Sequence, residues 1–283
     1  MSIADLASVQ RFAAFSEDPS GGNPAGVLLD ARHLTATEMQ RVASDVGYSE
    51  TAFITGALGR DRPIPVRYFA PQGEVDFCGH ATIATAVAMG DEVGDGHFTL
   101  DTRVGPVEIS TRRAGNRVVA TLRSPPVDCY PLEPSLADAL LDCFAWSSDD
   151  LDPDHLPAIG FAGNRHPVLV LRDLPRLQAL TYNFAALQQL CRQHNWITIQ
   201  LVVATGPGTW RARNPFPWGG VDEDPATGAA AAAFAGYLRS RQEMRDGEAF
   251  TITQGVEMGR PSTIDVTLTG DTALVTGSAV RIP

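Results

Sequence analysis

The sequence predicts an α+β protein of two pseudo-symmetric domains, and three observations predict it. One element occurs twice. Asp76-Phe77-Cys78-Gly79-His80-Ala81-Thr82 opens an apolar, alanine-rich run to Met89, and Asp224-Pro225-Ala226-Thr227-Gly228-Ala229-Ala230 opens another to Leu238. A second pattern also repeats. Gly22-Asn23-Pro24-Ala25-Gly26 precedes the apolar Val27-Leu28-Leu29, and Gly163-Asn164-Arg165-His166 precedes Val168-Leu169-Val170. The two offsets agree closely, about 140 and about 150 residues, a difference that a loop insertion absorbs.

The elements follow in order. Residues 8–15 alternate loosely and read as a strand, residues 20–26 as a turn, and 27–29 as the next strand of a hairpin. Met39, Val42 and Val46 give helical spacing over 37–46, with Thr35 or Thr37 as its cap. Strands follow at 50–55 and 64–69, then the first small-residue helix at 79–89 and strands at 96–102, 105–110 and 117–123. Proline is dense over 124–134, and a boundary near Pro125-Pro126 divides a domain of residues 1–125 from one of 126–283. The second domain reads as a helix over 132–144, the repeated turn and strand at 160–171, a helix over 184–194, and strands at 197–204 and 209–213. A loop over 215–224 leads into the second small-residue helix at 226–239, and strands at 249–254, 263–268 and 272–276 finish the chain.

Composition narrows the function classes. The chain carries 22 Lys+Arg against 33 Asp+Glu, a net charge of -11, with no basic stripe, so a nucleic-acid partner is not expected. Cys78, Cys129, Cys143 and Cys191 form no CxxC pair and read as free thiols of a reducing compartment. No leader is evident and no apolar run is long enough to cross a bilayer. A cytoplasmic protein with no membrane partner is therefore expected. The six histidines form no HExxH or other close pair, and no phosphate-binding glycine loop occurs. Neither a metal nor any other cofactor is expected.

The remaining chemistry gathers at the two helix starts. Free backbone N–H groups there hold anions, so paired starts suggest two half-sites facing one cleft and a small carboxylate ligand. Glu50 stands at the mouth of an apolar strand, either as a proton-transfer carboxyl or as an exposed strand-start residue. His80 is a donor to a carboxylate or enolate, or else a packed, hydrogen-bonded side chain. Cys78 is a candidate thiol base or a small buried residue. Two-thiol chemistry wants a second cysteine, and the matching position is Thr227. Asp224 either caps the second helix or holds a polar group of the substrate. Thr227, Gly228 and Ala229 offer N–H groups to an anion, and Arg211 and Arg213 are further cations or carboxylate partners.

Five motifs, in order, resemble the phenazine-biosynthesis isomerase family, the PhzF-like proteins. They are Gly22-Asn23-Pro24, Ser49-Glu50-Thr51-Ala52-Phe53, Phe77-Cys78-Gly79-His80-Ala81-Thr82, Glu223-Asp224-Pro225-Ala226-Thr227-Gly228 and the segment from Gln254 to Ser262. The resemblance implies a diaminopimelate-epimerase-like fold with the active site in the interdomain cleft. It also implies a final strand near 273–282 that returns to the first domain, and a homodimer. The implied activity is a cofactor-independent isomerase that moves a proton between carbon atoms of a small carboxylate, cyclic or open-chain. Glu50 is implied as the proton shuttle, with His80 and Asp224 lining the site. Gly79, Thr227, Gly228 and Ala229 are implied around the carboxylate, and Asn23 in substrate binding. An amino-acid racemase or epimerase and a non-catalytic small-acid binder are the alternatives. The family's phenazine enzymes carry a serine just after the glycine of the fourth motif, and here that residue is Ala229. The backbone N–H survives this change. A hydroxyl hydrogen bond does not, at a cost of about 1–3 kcal/mol if its partner stays buried, which argues for a different substrate.

Overall fold

A computed structural model describes residues 8–283. The chain forms two compact units, one running to Arg123 and taking back Thr276–Pro283, the other comprising Ser124–Val275. Among the described residues no helix is long and apolar enough to cross a membrane.

The first unit contains β1 (Gln10–Ala14), β2 (Asn23–Leu28), α1 (Ala36–Val46), β3 (Glu50–Ile54), β4 (Ile64–Ala70), β5 (Gly73–Val75), α2 (Gly79–Val93), β6 (Gly96–Thr102), β7 (Gly105–Ala114) and β8 (Arg117–Arg123). The second contains β9 (Val127–Pro131), α3 (Pro134–Phe144), β10 (Ala158–Ala162), β11 (Arg165–Val170), α4 (Leu174–Gln178), α5 (Phe184–His194), β12 (Gln200–Gly206), β13 (Thr209–Arg213), α6 (Gly228–Ser240), β14 (Ala249–Gln254), β15 (Ser262–Thr269) and the start of β16 (Thr272–Arg281).

Each unit has the same wiring. From β1 to β7 successive partners pair antiparallel, parallel, antiparallel, parallel and antiparallel, skipping the short β5. From β10 to β15 the sequence of senses is identical. A parallel step needs a crossover, because a tight hairpin can only reverse the chain. Helices supply it each time: α1 between β2 and β3, α2 between β4 and β6, α5 between β11 and β12, and α6 between β13 and β14. The repeat seen in the sequence is thus a repeat of topology, and the fold is the two-unit α+β architecture that was expected.

The last strand belongs to both units. Thr272–Val275 lies in the second, while its later residues pair Phe12 with Arg281, Ala13 with Val280 and Ala14 with Ala279 in the first. That pairing closes the strand path of the first unit on itself. The counterpart of this segment in the second unit is β9, antiparallel to β10. Its residues fall where the proline density reads as a linker. Pro125 and Pro126 precede the strand and Pro131 is its last residue, positions at which a missing N–H does little harm.

The sequence dictates two kinds of helix. Thr35 caps α1 in a capping box with Glu38, Gly47 ends it in the left-handed region, and only one face (Met39, Val42, Ala43) is buried. By contrast, His80 through Gly90 of α2 are all buried, and so are ten residues of α6. A helix apolar on every side belongs inside a protein. Small side chains let strands approach closely. A Cβ on Gly236 of α6 would stand 2.7 Å from the Asp128 carbonyl oxygen of β9. The short β5 and α4, the latter capped by Asp173, carry too few residues to show a period and have no sequence signal.

Candidate active site

In the first unit two strands and one helix start bring five side chains together. Asn23 begins β2, Ser49 and Glu50 lead into β3, and Cys78 and His80 sit at the start of α2. The His80 ring is the hub. Its Nδ1 lies 3.1 Å from Asn23 Nδ2, and its Nε2 lies 3.2 Å from Ser49 Oγ and 3.3 Å from Glu50 Oε2. An amide NH2 only donates, so Nδ1 accepts and the ring proton sits on Nε2, hydrogen-bonded to Ser49 Oγ, with Glu50 Oε2 in close contact but outside hydrogen-bond geometry. His80 is buried and the Glu50 side chain is 17% exposed, so the carboxylate is largely shielded yet reachable. Cys78 Sγ stands 3.3 Å from His80 Nδ1.

The helix start itself is braced. Thr82 Oγ1 donates to the Cys78 carbonyl at 2.7 Å, so the Tyr68 hydroxyl, also 2.7 Å away, donates to Thr82. Burial pushes the Tyr68 hydroxyl far up, and it remains a neutral partner. Cys78 provides no side-chain cap to α2. The first-turn N–H groups, including that of Gly79, therefore lack an intrahelical acceptor by geometry. Asp76 stands apart from the cluster, exposed and paired with Arg103 at 3.2 Å.

No spacing in the sequence marks a metal site, yet folding places ligand-type atoms of Glu50, Cys78 and His80 within 4.8 Å of one another. These are the same atoms that form the acid–base cluster. Sequence spacing misses the group because Glu50 and His80 are on separate elements.

In the second unit Asp224, Thr227 and Gly228 surround the start of α6. Thr227, not Asp224, is the N-cap residue, and its hydroxyl makes no cap bond. It donates instead to Asp224 Oδ2 at 2.6 Å. Gln254, at the end of β14, accepts the Thr227 N–H at 3.3 Å and donates to the Asp224 carbonyl at 2.7 Å. Ala229 is half-buried in the first turn. Arg211 and Arg213 are committed elsewhere, to Glu257 at 2.7 Å and, through a two-bond fork, to Glu223. Ser49 and Gln254 lie in motifs singled out from the sequence, but nothing local assigns them a contact.

Fold and site together define a class: a duplicated α+β scaffold with Glu50, Cys78 and His80 gathered at one small-residue helix start and Asp224, Thr227 and Gln254 at the other. A model of the family described as "Phenazine biosynthesis-like protein" matches residues 12–282. Trans-2,3-dihydro-3-hydroxyanthranilate isomerase of Pseudomonas aeruginosa is 32% identical over 255 residues, which cover 88% of this chain and 86% of that protein. An uncharacterized isomerase of Deinococcus radiodurans is also 32% identical, over 278 residues covering 93% and 87%. The crystal structure of a Bacillus anthracis phenazine biosynthesis protein of the PhzF family superposes with a TM-score of 0.86 at 25% identity, covering 97% of this chain and 96% of that one. The chain belongs to the phenazine biosynthesis-like family and is an isomerase of the PhzF-like type.

Proposed function

We propose that the enzyme moves a proton between two carbons of a small carboxylate without a cofactor, with Glu50 as the shuttle. The observation that carries this is the close approach of His80 Nε2 to the shielded Glu50 Oε2, 3.3 Å away, with His80 Nδ1 held by Asn23 at 3.1 Å. Glu50 ionised takes a proton from an acidified C–H. The electron pair spreads into the substrate's conjugated system, and the first-turn N–H groups of α2, with His80, stabilise the charge. Protonated Glu50 then returns the proton at another carbon, so one double bond shifts and nothing is oxidised or reduced. A carboxyl suits both halves because it accepts and donates within one turnover. Asp224, Thr227, Gly228 and Ala229 are proposed to hold polar groups of the substrate. Asn23 is proposed to act by fixing the His80 tautomer. A cytoplasmic homodimer remains the expected form of the enzyme.

Cys78, 3.3 Å from His80 Nδ1, supports a second reading in which a thiol serves as base in an epimerisation. A screen in deuterium oxide separates the readings. It would include trans-2,3-dihydro-3-hydroxyanthranilate, because that isomer is the substrate named for the Pseudomonas relative, together with other cyclic acids and amino acids. Carbon-bound deuterium with a moved double bond is the expected result. Inversion without a moved double bond would establish the epimerase, and tight binding without exchange would leave a binding protein.

A further inference from the structure

We propose that two buried neutral polar groups of the second unit position Asp224: a chain of side chains that runs through Thr198 to Asn214 and, from the other side, Gln254. This rests on the reading that Asp224 contacts substrate. The chain begins at His166 in β11, whose Nδ1 lies 2.9 Å from Thr198 Oγ1. Thr198 has one hydroxyl proton and gives it to Asn214 Oδ1 at 2.9 Å, so His166 must donate from Nδ1. Asn214 Nδ2 then donates to Gln200 Oε1 at 2.7 Å. The direction of every bond is therefore set. His166, Thr198, Gln200 and Asn214 are each no more than 1% exposed, as is Gln254.

The chain leaves His166 Nε2 and Gln200 Nε2 buried without a hydrogen-bond partner among the described residues, a cost that apolar residues of the same shape would not carry. What this chain achieves is seen at its end. The Asn214 carbonyl accepts the Asp224 N–H at 3.0 Å, and Gln254 Nε2 donates to the Asp224 carbonyl at 2.7 Å. The peptide groups on both sides of Asp224 are thus tied, one to the main chain of Asn214 just after β13 and the other to the Gln254 side chain at the end of β14. The bond to Asn214 also closes the preceding loop: with the bond from Phe216 N–H to the Asp222 carbonyl it forms the bridge between Pro215 and Glu223, beside the Arg213–Glu223 ion pair, whereas the Gln254 bond to Asp224 lies outside that closure. Gly255 adds a further constraint. At φ +74 its backbone passes so near Pro225 that a Cβ would meet the Pro225 carbonyl oxygen at 2.6 Å. Gln254 is in this way held against the residues it clamps.

Amide hydrogen exchange on the full chain tests the proposal without a substrate. Gln254→Met and Thr198→Val remove the bonds at near-constant volume, while Thr198→Ser keeps them. Exchange over residues 222–230 is expected to rise about tenfold or more in the first two variants and to stay near wild type in the third, with β12 and β14 unchanged. Once the deuterium screen supplies a substrate, the same two variants are expected to lose more in kcat than in KM. Unchanged exchange at 222–230, a rise spread evenly over the unit, or failure of both variants to fold would overturn the proposal and assign the chain to core packing. Faster local exchange with wild-type turnover would sustain the clamp and refute a catalytic role for Asp224.

Discussion

The starts of α2 and α6 are built alike and equipped differently. Each helix begins on a glycine, is rich in alanine, and is buried on nearly every side. At α2 the neighbours are titratable, with Glu50, Cys78 and His80 within 4.8 Å. At α6 the neighbours are Thr227 and Gln254, with one carboxylate, Asp224, whose peptide groups are tied down on both sides. Duplication of a scaffold fixes backbone geometry because packing of small residues against strands leaves little freedom. It leaves the few side chains that face a helix start free to diverge. One start has the means to move a proton, and the other has the means to hold a shape.

The largest expected effect comes from the carboxyl at the α2 start. Glu50→Gln keeps size and hydrogen-bonding shape but cannot titrate, and kcat should fall by about 100-fold or more with ligand binding little changed. Asp224→Asn, the same exchange at the α6 start, should cost activity by a smaller factor and leave the melting temperature nearly unaltered. Steady-state kinetics on both variants checks this pair. Equal losses would end the division of labour, and a near-wild-type Glu50→Gln beside a dead His80→Ala would move the base to His80 or Cys78.

Acid should find the second unit's weak point. Burial lowers His166 from 6.5 to about 4, so the native state refuses a proton that the unfolded chain accepts. This folded-state value lies below the unfolded one. Stability is therefore intact above about pH 6.5, falls as pH drops through the window down to about 4, and levels off below it. The full span amounts to about 3 kcal/mol at about 1.4 kcal/mol per unit. Urea titrations at a series of pH values should show this slope, and His166→Gln should flatten it. A variant with the wild-type slope would place the acid sensitivity elsewhere.

Packing gives a smaller test. In Gly236→Ala the new methyl meets the Asp128 carbonyl oxygen at 2.7 Å and its nitrogen at 2.9 Å, and backbone cannot step aside. In Gly90→Ala it meets a Val118 methyl carbon at 2.6 Å and Thr111 Cβ at 3.2 Å, which are side-chain atoms. Denaturant unfolding should show a loss of about 2–3 kcal/mol for the first and a smaller loss for the second, where better helix propensity offsets part of the strain. The smallest effect is expected from chelation. Dialysis against a chelator should leave turnover unchanged, and a loss restored by a divalent ion would assign Glu50, Cys78 and His80 to a metal.

Much of this was legible in the sequence, and the reason is that it is local. Helix period, a threonine cap at 35 or 37 (the structure selects Thr35) and the repeated glycine motifs are set by neighbours within a few residues, and the recurrence of these patterns predicts the duplicated α+β fold. The five motifs point to Glu50, His80 and Asp224 for the same reason, since each motif is a contiguous string. Only the tertiary structure decided how those strings meet. Asn23, Ser49 and Glu50 reach His80 because β2 and β3 lie parallel and in register, Ala25 opposite Glu50, across a helical crossover. The Asp224 clamp depends on β13 and β14, again a parallel pair. Pairings of this kind depend on strand register and chain reversal over tens of residues, and no local pattern carries that information. The return of the last strand to the first unit came from the family resemblance, and the point at which it divides, after Val275, was decided by its pairing with β1.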